Sequence, residues 1–374
     1  MKKTINTAAV HTALNTQGLN QKQLSEKIGV TSQAVTNWLK GKDFPRPPKL
    51  LKLAASLKLS YDQLVIDTGN ERPVIAFRKK GSAKTTSEHI DKARETGMLL
   101  RPLVRFLPQQ QALRPQITAP STTYQKLQTA ASQARERIGI GERAVLEYQH
   151  LIGEFKDCGA VLIPVLWGKK QVHENALHIF LPAENITFIY LNLDTKIEDF
   201  KFWMAHELAH IYTPMLTGKT EGEDFADRFS SAILFPKALA EVVYAEAIEE
   251  KSTERRIDVL LNYAHSHMIS LFTVFEEVEY FADAMNLPSL HISPNTIHAV
   301  RNSINSHLVS ESIFDPMPPE PKRYIATCES IFRSDFFGAL KRMIHETGTG
   351  SPYVRQILRA TILDAEAIYR EVLD

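Results

Sequence analysis

The run His206-Glu207-Leu208-Ala209-His210 constrains this chain more than any other feature. Positions four apart share one face of an α-helix, so the two histidines project side by side with a bite suited to two imidazole nitrogens on one tetrahedral ion. Phe200, Phe202, Trp203, Ile211 and Tyr212 supply apolar side chains around the motif, and neither Pro nor Gly interrupts the chain from Ile197 to Thr213. That pattern places the pair on a helix. Glu207 follows the first histidine directly and can reach a water at the same ion. This is the division of labour a zinc peptidase needs: two neutral imidazoles hold Zn²⁺, and a carboxylate that is not a ligand takes the proton from water.

A second helical pattern follows the break at Pro214 and Gly218 and runs from Glu223 to a stop near Pro236. Glu223 is the candidate third ligand. Asp227, four residues later on the same face, is placed to accept the free ring N–H of a ligating histidine and fix its tautomer. Mn²⁺ suits the same ligand types, because donor identity sets the preferred metal and not the metal a cell supplies. A competing reading makes His206 and His210 partly buried helix histidines, Glu207 a solvated carboxylate, and Glu223 and Asp227 part of an acidic face with Glu221 and Asp224. That reading needs ligand pair, base, third ligand and orienting carboxylate to coincide by accident.

The stretch from Phe200 to Pro236 resembles the ImmA/IrrE family of bacterial and phage metallopeptidases, whose pattern is H-E-x-x-H followed by a helix reading E-x-x-A-[ND]-x-F-A-x-x-L-L-x-P. Here that second helix is carried by Glu223, Ala226, Asp227, Phe229, Ile233, Leu234 and Pro236. Ser230 stands where the family usually has Ala and Phe235 where it often has Met; both are packing positions. The resemblance implies a gluzincin-like, zinc-dependent endopeptidase that cleaves a protein, typically a transcriptional repressor; an antitoxin is the related substrate class.

The chain has 374 residues, enough for two or three domains, and its 44% hydrophobic and 23% charged content is ordinary for globular material. No apolar run approaches the roughly eighteen residues of a membrane span, and the start lacks a signal-peptide apolar segment. A cytoplasmic location is therefore expected. Cys158 and Cys328 are far apart and not in metal spacing, so they read as free thiols. The net charge of +1 is unevenly spread: residues 1–60 carry ten Lys or Arg against two acids, a balance of +8, and the remainder sums to −7. Only the first part suits a polyanion.

That first part has the architecture for one. Ala8–Thr16 reads as an amphipathic helix; Asn20 caps a second helix, Gln21–Ile28; Gly29 turns the chain; Thr31 caps a third, Ser32–Lys40, which Gly41 ends. Lys49–Leu57 and Ser60–Ile66 follow as short helices. Helix, tight Gly turn, and a second helix with polar first-turn residues is an arrangement that enters the DNA major groove. The stretch from Gln21 to Gly41 resembles the XRE/Cro/phage-repressor helix-turn-helix family. By that resemblance Gln21 contacts phosphate, while Ser32, Gln33, Thr36 and Asn37 face base edges, where amides suit adenine; Lys40 adds salt-dependent affinity. A small bundle used for protein contacts is the alternative, and since such domains also dimerise, a homodimer is a further expectation.

The expected fold is thus multidomain and mainly α. Residues 1–68 form an all-α helix-turn-helix domain, residues 69–120 a linker and connecting helix, residues 121–240 an α+β metallopeptidase domain, and residues 241–374 a helical region without assigned role. Lys79 to Ser87 reads as polar linker. Ala160–Trp167, Leu177–Leu181 and Thr187–Leu193 read as three strands of a small sheet. In zinc peptidases of this layout an edge strand can pair with an extended substrate, but sequence does not say which strand is the edge. Tyr263, His265 and His267 are candidates for an oxyanion-stabilising donor. Two functions remain open: a site-specific peptidase localised by its first domain, or a DNA-binding regulator whose metallopeptidase-like body senses a signal without cutting.

Overall fold

The computed structural model describes residues 3–67, 72–76, 87–108, 114–168, 176–304 and 306–374. The expected linker falls largely outside them, at residues 69–71, 77–86 and 109–113. The chain divides into two compact units, one of Met1–Pro73 with Leu181–Ala183, the other of Val74–Phe180 with Glu184–Asp374.

In the first unit, strand β1 (Lys3–Ile5) precedes helices α1 (Thr7–Gln17), α2 (Gln21–Ile28), α3 (Ser32–Leu39), α4 (Pro47–Leu57) and α5 (Tyr61–Leu64), and strand β2 (Val65–Asp67) follows. Asn20 and Gln23 form a reciprocal capping box at the start of α2, and the Thr31 hydroxyl accepts from the Ala34 N–H at the start of α3. Gly29 adopts φ +67°, a left-handed conformation that glycine enters without a Cβ penalty. The apolar faces of Val10, Leu14, Leu24, Ile28, Val35 and Trp38 meet Leu50, Leu53 and Leu57 in one core.

This unit is not all-α. β1 and β2 pair antiparallel, Thr4 opposite Ile66 and Ile5 opposite Val65, so the helix expected over Ser60–Ile66 stops at Leu64. The β-branched residues Val65 and Ile66 lose little as a strand, and the partner that satisfies their backbone lies about sixty residues earlier, where no local pattern shows it.

In the second unit, strand β3 (Val74–Ala76) comes before α6 (Ser87–Leu100), a 3₁₀ turn over Arg101–Phe106, α7 (Tyr124–Ile138) and α8 (Tyr148–Asp157). Strands β4 (Ala160–Val165), β5 (Ala176–Leu181) and β6 (Ile186–Asn192) then lead into α9 (Ile197–Tyr212) and α10 (Thr220–Leu234). The sheet order is β3-β5-β6-β4, with β6 and β4 parallel and β3 antiparallel to β5. The three expected strands are present, and a fourth comes from the stretch read as linker. Three residues are too few to display a two-residue period.

Further helices are α11 (Lys237–Glu249), α12 (Thr253–His267), α13 (Leu271–Ala284), α14 (Pro294–Ser303), α15 (Val309–Ile313), α16 (Pro321–Ser330), α17 (Phe336–Thr347), α18 (Ser351–Leu358) and α19 (Ile362–Leu373). They brace the sheet: Tyr190 and Tyr324 donate their hydroxyls to the Ile357 and Pro164 carbonyls. No helix among the described residues is long and apolar enough to cross a membrane. Cys158 and Cys328 are buried free thiols.

Candidate metal centre and nucleic-acid interface

Helix α9 is fixed before its histidines are considered. The Tyr148 hydroxyl donates to the Ile197 carbonyl at 2.9 Å, Tyr212 donates to Glu154 at 2.8 Å, and buried Lys201 donates to the Leu146 carbonyl at 3.0 Å. Helix α10 is held at its far end by Arg135 of α7, whose guanidinium donates to the Ile233 carbonyl at 2.6 Å and the Gly141 carbonyl at 2.7 Å. Between the two helices the chain makes a 3₁₀ turn over Pro214–Leu216. A Cβ on Gly222 would lie 2.2 Å from the Leu216 carbonyl oxygen, so only a residue without one lets α10 start where Glu223 turns toward α9.

The result brings His206, His210 and Glu223 into one cluster. The two Nε2 atoms lie 3.2 Å apart; Glu223 Oε2 is 3.4 Å from His206 Nε2, and its Oε1 is 3.4 Å from His210 Nε2. Three donors bound to one tetrahedral zinc at about 2.0–2.1 Å stand roughly 3.3 Å from one another, so the triangle fits. The chemistry agrees with the spacing. Both carboxylate oxygens of Glu223 are buried without a hydrogen-bond partner, an arrangement proteins avoid unless something satisfies the acceptors. Asp227 Oδ1 lies 2.9 Å from His206 Nδ1, on the far side of the ring from the cluster, as expected of the orienting carboxylate. His210 Nδ1 has no such partner among the described residues.

Electrostatics favour a cation here. Burial pushes the His206 ring down, but Asp227 and Glu223 outweigh it and raise the ring to about 9. Burial lowers His210 well below the usual imidazole range, with the neighbouring His206 and His178 rings adding to it, and burial raises Glu223 against the pull of His206. The single positive charge that the acids favour sits on His206, and the His210 ring beside it stays neutral.

Glu207 is buried, and a residue missed in the sequence stands against it: His178 of β5, with Nδ1 3.4 Å from Glu207 Oε2 and its ring edge-on to His210 at 5.6 Å. The available signal was a lone polar residue inside the apolar run Leu177-His178-Ile179-Phe180-Leu181. On the other flank, where Asp227 is more open, a cleft of about 420 Å³ is lined by residues including Phe202, Asp224, Asp227 and Arg228. The candidate oxyanion donors make other contacts: the Tyr263 hydroxyl donates to Glu246 at 2.8 Å, the His267 ring packs edge-on to Phe235, and His265 is exposed on α12.

In the first unit, Gln33 is exposed and Asn37 half-buried on α3, Lys40 is exposed just past its end, and the Gln33 amide donates to Asn37 Oδ1 at 3.0 Å. The bond joins the two amides along one face of α3. The Ser32 hydroxyl lies 3.0 Å from that of Ser25 and ties α3 to α2, while Thr36 donates to the Ser32 carbonyl. Gln21 is half-buried at the start of α2. Lys49, counted among the basic residues, caps the end of α2 instead, donating to the Ile28 and Gly29 carbonyls at 3.1 and 2.7 Å.

No curated protein and no solved structure matches the chain. Residues 10–64 match a family model described as helix-turn-helix, which supports a DNA-binding regulatory role for the first unit.

Proposed function

We propose that the chain is a zinc-dependent endopeptidase joined to a helix-turn-helix DNA-binding domain, acting on a protein substrate of the repressor or antitoxin kind. The observation that carries this reading is the triangle of His206 Nε2, His210 Nε2 and Glu223 with a non-ligand carboxylate, Glu207, next in sequence to the first donor. The same triangle and the sequence pattern of α9 and α10 support membership of the ImmA/IrrE group. His206, His210 and Glu223 would hold Zn²⁺, or Mn²⁺, and the ion when bound supplies Lewis acidity toward a water and a peptide carbonyl. Asp227 keeps His206 in the tautomer whose Nε2 lone pair faces the cluster. Glu207 accepts the proton of the attacking water and returns it to the leaving amine.

A second reading, a regulator whose metallopeptidase-like body senses without cutting, is favoured by one observation: Glu207 is only 4% exposed. Replacing Glu207 with Gln separates the two. The amide keeps the volume and all three proposed ligands but cannot take a proton at neutral pH, so zinc content and folding should persist while peptidase activity falls by roughly two to four orders of magnitude. Derepression of target promoters that survives unchanged in this variant would establish the sensor reading instead.

A further inference from the structure

What can reach Glu207 from the sheet side depends on what lies along β5, because His178 of that strand stands against the carboxylate. The neighbour there is β3. It runs antiparallel to β5 with Ala76 directly opposite His178 and Val74 opposite Phe180. Directly opposed residues of an antiparallel pair carry their side chains on the same face. Ala76 and Val74 therefore face the side on which Glu207 lies, and Ala76 is buried there. The backbone of β3 also meets the connection between the two ligand-bearing helices: the Ile75 carbonyl oxygen is 3.1 Å from where a Cβ on Gly218 would sit, at φ +77°. Three residues of extended chain thus run between the edge of β5 and the α9–α10 turn.

We infer that the outer edge of β5 is a docking surface for an extended protein segment, and that Val74–Ala76 is the chain's own occupant of it, a pseudosubstrate strand that a protein substrate displaces. The inference rests on the peptidase reading for what the site does to a docked segment; docking itself requires neither metal nor catalysis. Main-chain hydrogen bonds supply the affinity of such strand addition, and the alternating side chains supply the selectivity. The segment that fits is apolar, with a small residue opposite His178, because a charge there would be buried beside Glu207. A three-residue strand is short enough to exchange, and as part of the same chain it competes intramolecularly with a free segment.

The test is binding of a labelled synthetic peptide, Arg72-Pro73-Val74-Ile75-Ala76-Phe77-Arg78, to the full chain carrying Glu207→Gln so that nothing is cut. With Val74, Ile75 and Ala76 all replaced by Gly, the chain should bind the peptide about tenfold or more tighter than with β3 intact, and the peptide should restore amide-exchange protection over Leu177–Leu181. Equal affinity in both chains, or β5 protection that ignores the peptide, overturns the inference. Should the triple substitution prevent folding, a Val74→Cys, Phe180→Cys pair locks β3 onto β5, since these residues are directly opposed and the native cysteines are buried. Peptide binding must vanish on oxidation and return on reduction; binding that persists in the oxidised chain overturns the proposal. With Glu207 restored and zinc added, docking of the peptide that obeys the lock while an unfolded protein such as casein is never cut defeats the peptidase reading alone, whereas zinc-dependent cleavage of that protein indifferent to the lock defeats the docking proposal alone.

Discussion

The helix-turn-helix unit and the body that carries the histidine pair are held together by different kinds of contact. In the first, three helix starts are capped from within a few positions: Asn20 and Gln23 at α2, Thr31 at α3, Ser60 and Gln63 at α5. Its buried side chains are almost all apolar, Ser25 being the polar one among the described residues. The body instead buries Arg135, Lys201, Glu207 and Glu277 and satisfies several of them over long sequence distances, as Arg135 does with Ile233. Local rules suffice to build a recognition helix. A cluster of charges in a low-dielectric interior needs several elements placed at once, and each misplacement leaves a charge exposed to the full cost of desolvation.

The contrast is most sharply tested by pH. Burial pushes the Glu277 carboxyl up to about 8, against Arg228 and the Gln128 amide 3.1 Å away and with Glu276 adding. The folded state therefore holds that proton more tightly than the unfolded chain does. Its contribution to stability is whole below about 4.5 and is lost as pH rises toward 8, at about 1.4 kcal/mol per unit of displacement. Segment-resolved hydrogen exchange from pH 5 to pH 8 should show the body losing a few kcal/mol while α1–α4 stay level, and Glu277→Gln should flatten the body's profile. An equal slope in both units would break the comparison.

Gly222→Ala addresses the body through its backbone. The new methyl must move the Leu216 carbonyl or tilt α10, so unfolding should become easier by about 1–3 kcal/mol and zinc affinity should fall through displacement of Glu223. Denaturant melts and elemental analysis check both halves. His210→Ala should lower zinc affinity by roughly tenfold or more without the same loss of stability; undiminished zinc in that variant would remove the metal assignment.

Two smaller effects belong to the first unit. Gln33→Ala should cost roughly 1–3 kcal/mol against a preferred DNA site and little against random DNA, read from titrations across salt concentration. Gly29→Ala should cost about 1 kcal/mol, because only the left-handed conformation is penalised and a Cβ there would make an ordinary contact, 3.5 Å from Lys49 Nζ. A loss well beyond that would mean the turn is coupled to more than its own two helices.

Much of this was legible in the chain before the structure. Helix α2 has the expected bounds, α3 and α9 differ by a residue at one end, and β4, β5 and β6 lie where apolar runs placed them. The spacing of His206 and His210 put both rings on one face, and Glu223 and Asp227 reached the two sides of His206 that their chemistry suggested. The misses share a cause. β1, β2 and β3 are three residues each, with partners sixty to a hundred positions away; His178 looked like one polar residue in a strand; Gly222 is an unremarked residue in a first turn.

Sequence by itself determined the helices and their caps, since a capping side chain and the N–H it meets are three residues apart and a helical face repeats every three to four. It also placed two imidazoles on one face of α9 with a carboxylate next to the first. Only the tertiary structure decided that the three donors stand 3.2–3.4 Å apart, that His178 closes on Glu207, and that Val74–Ala76 lies along β5. Those facts depend on the relative placement of elements joined by long stretches of chain, and loop-closure entropy changes so slowly with length that sequence distance hardly constrains which pairs meet.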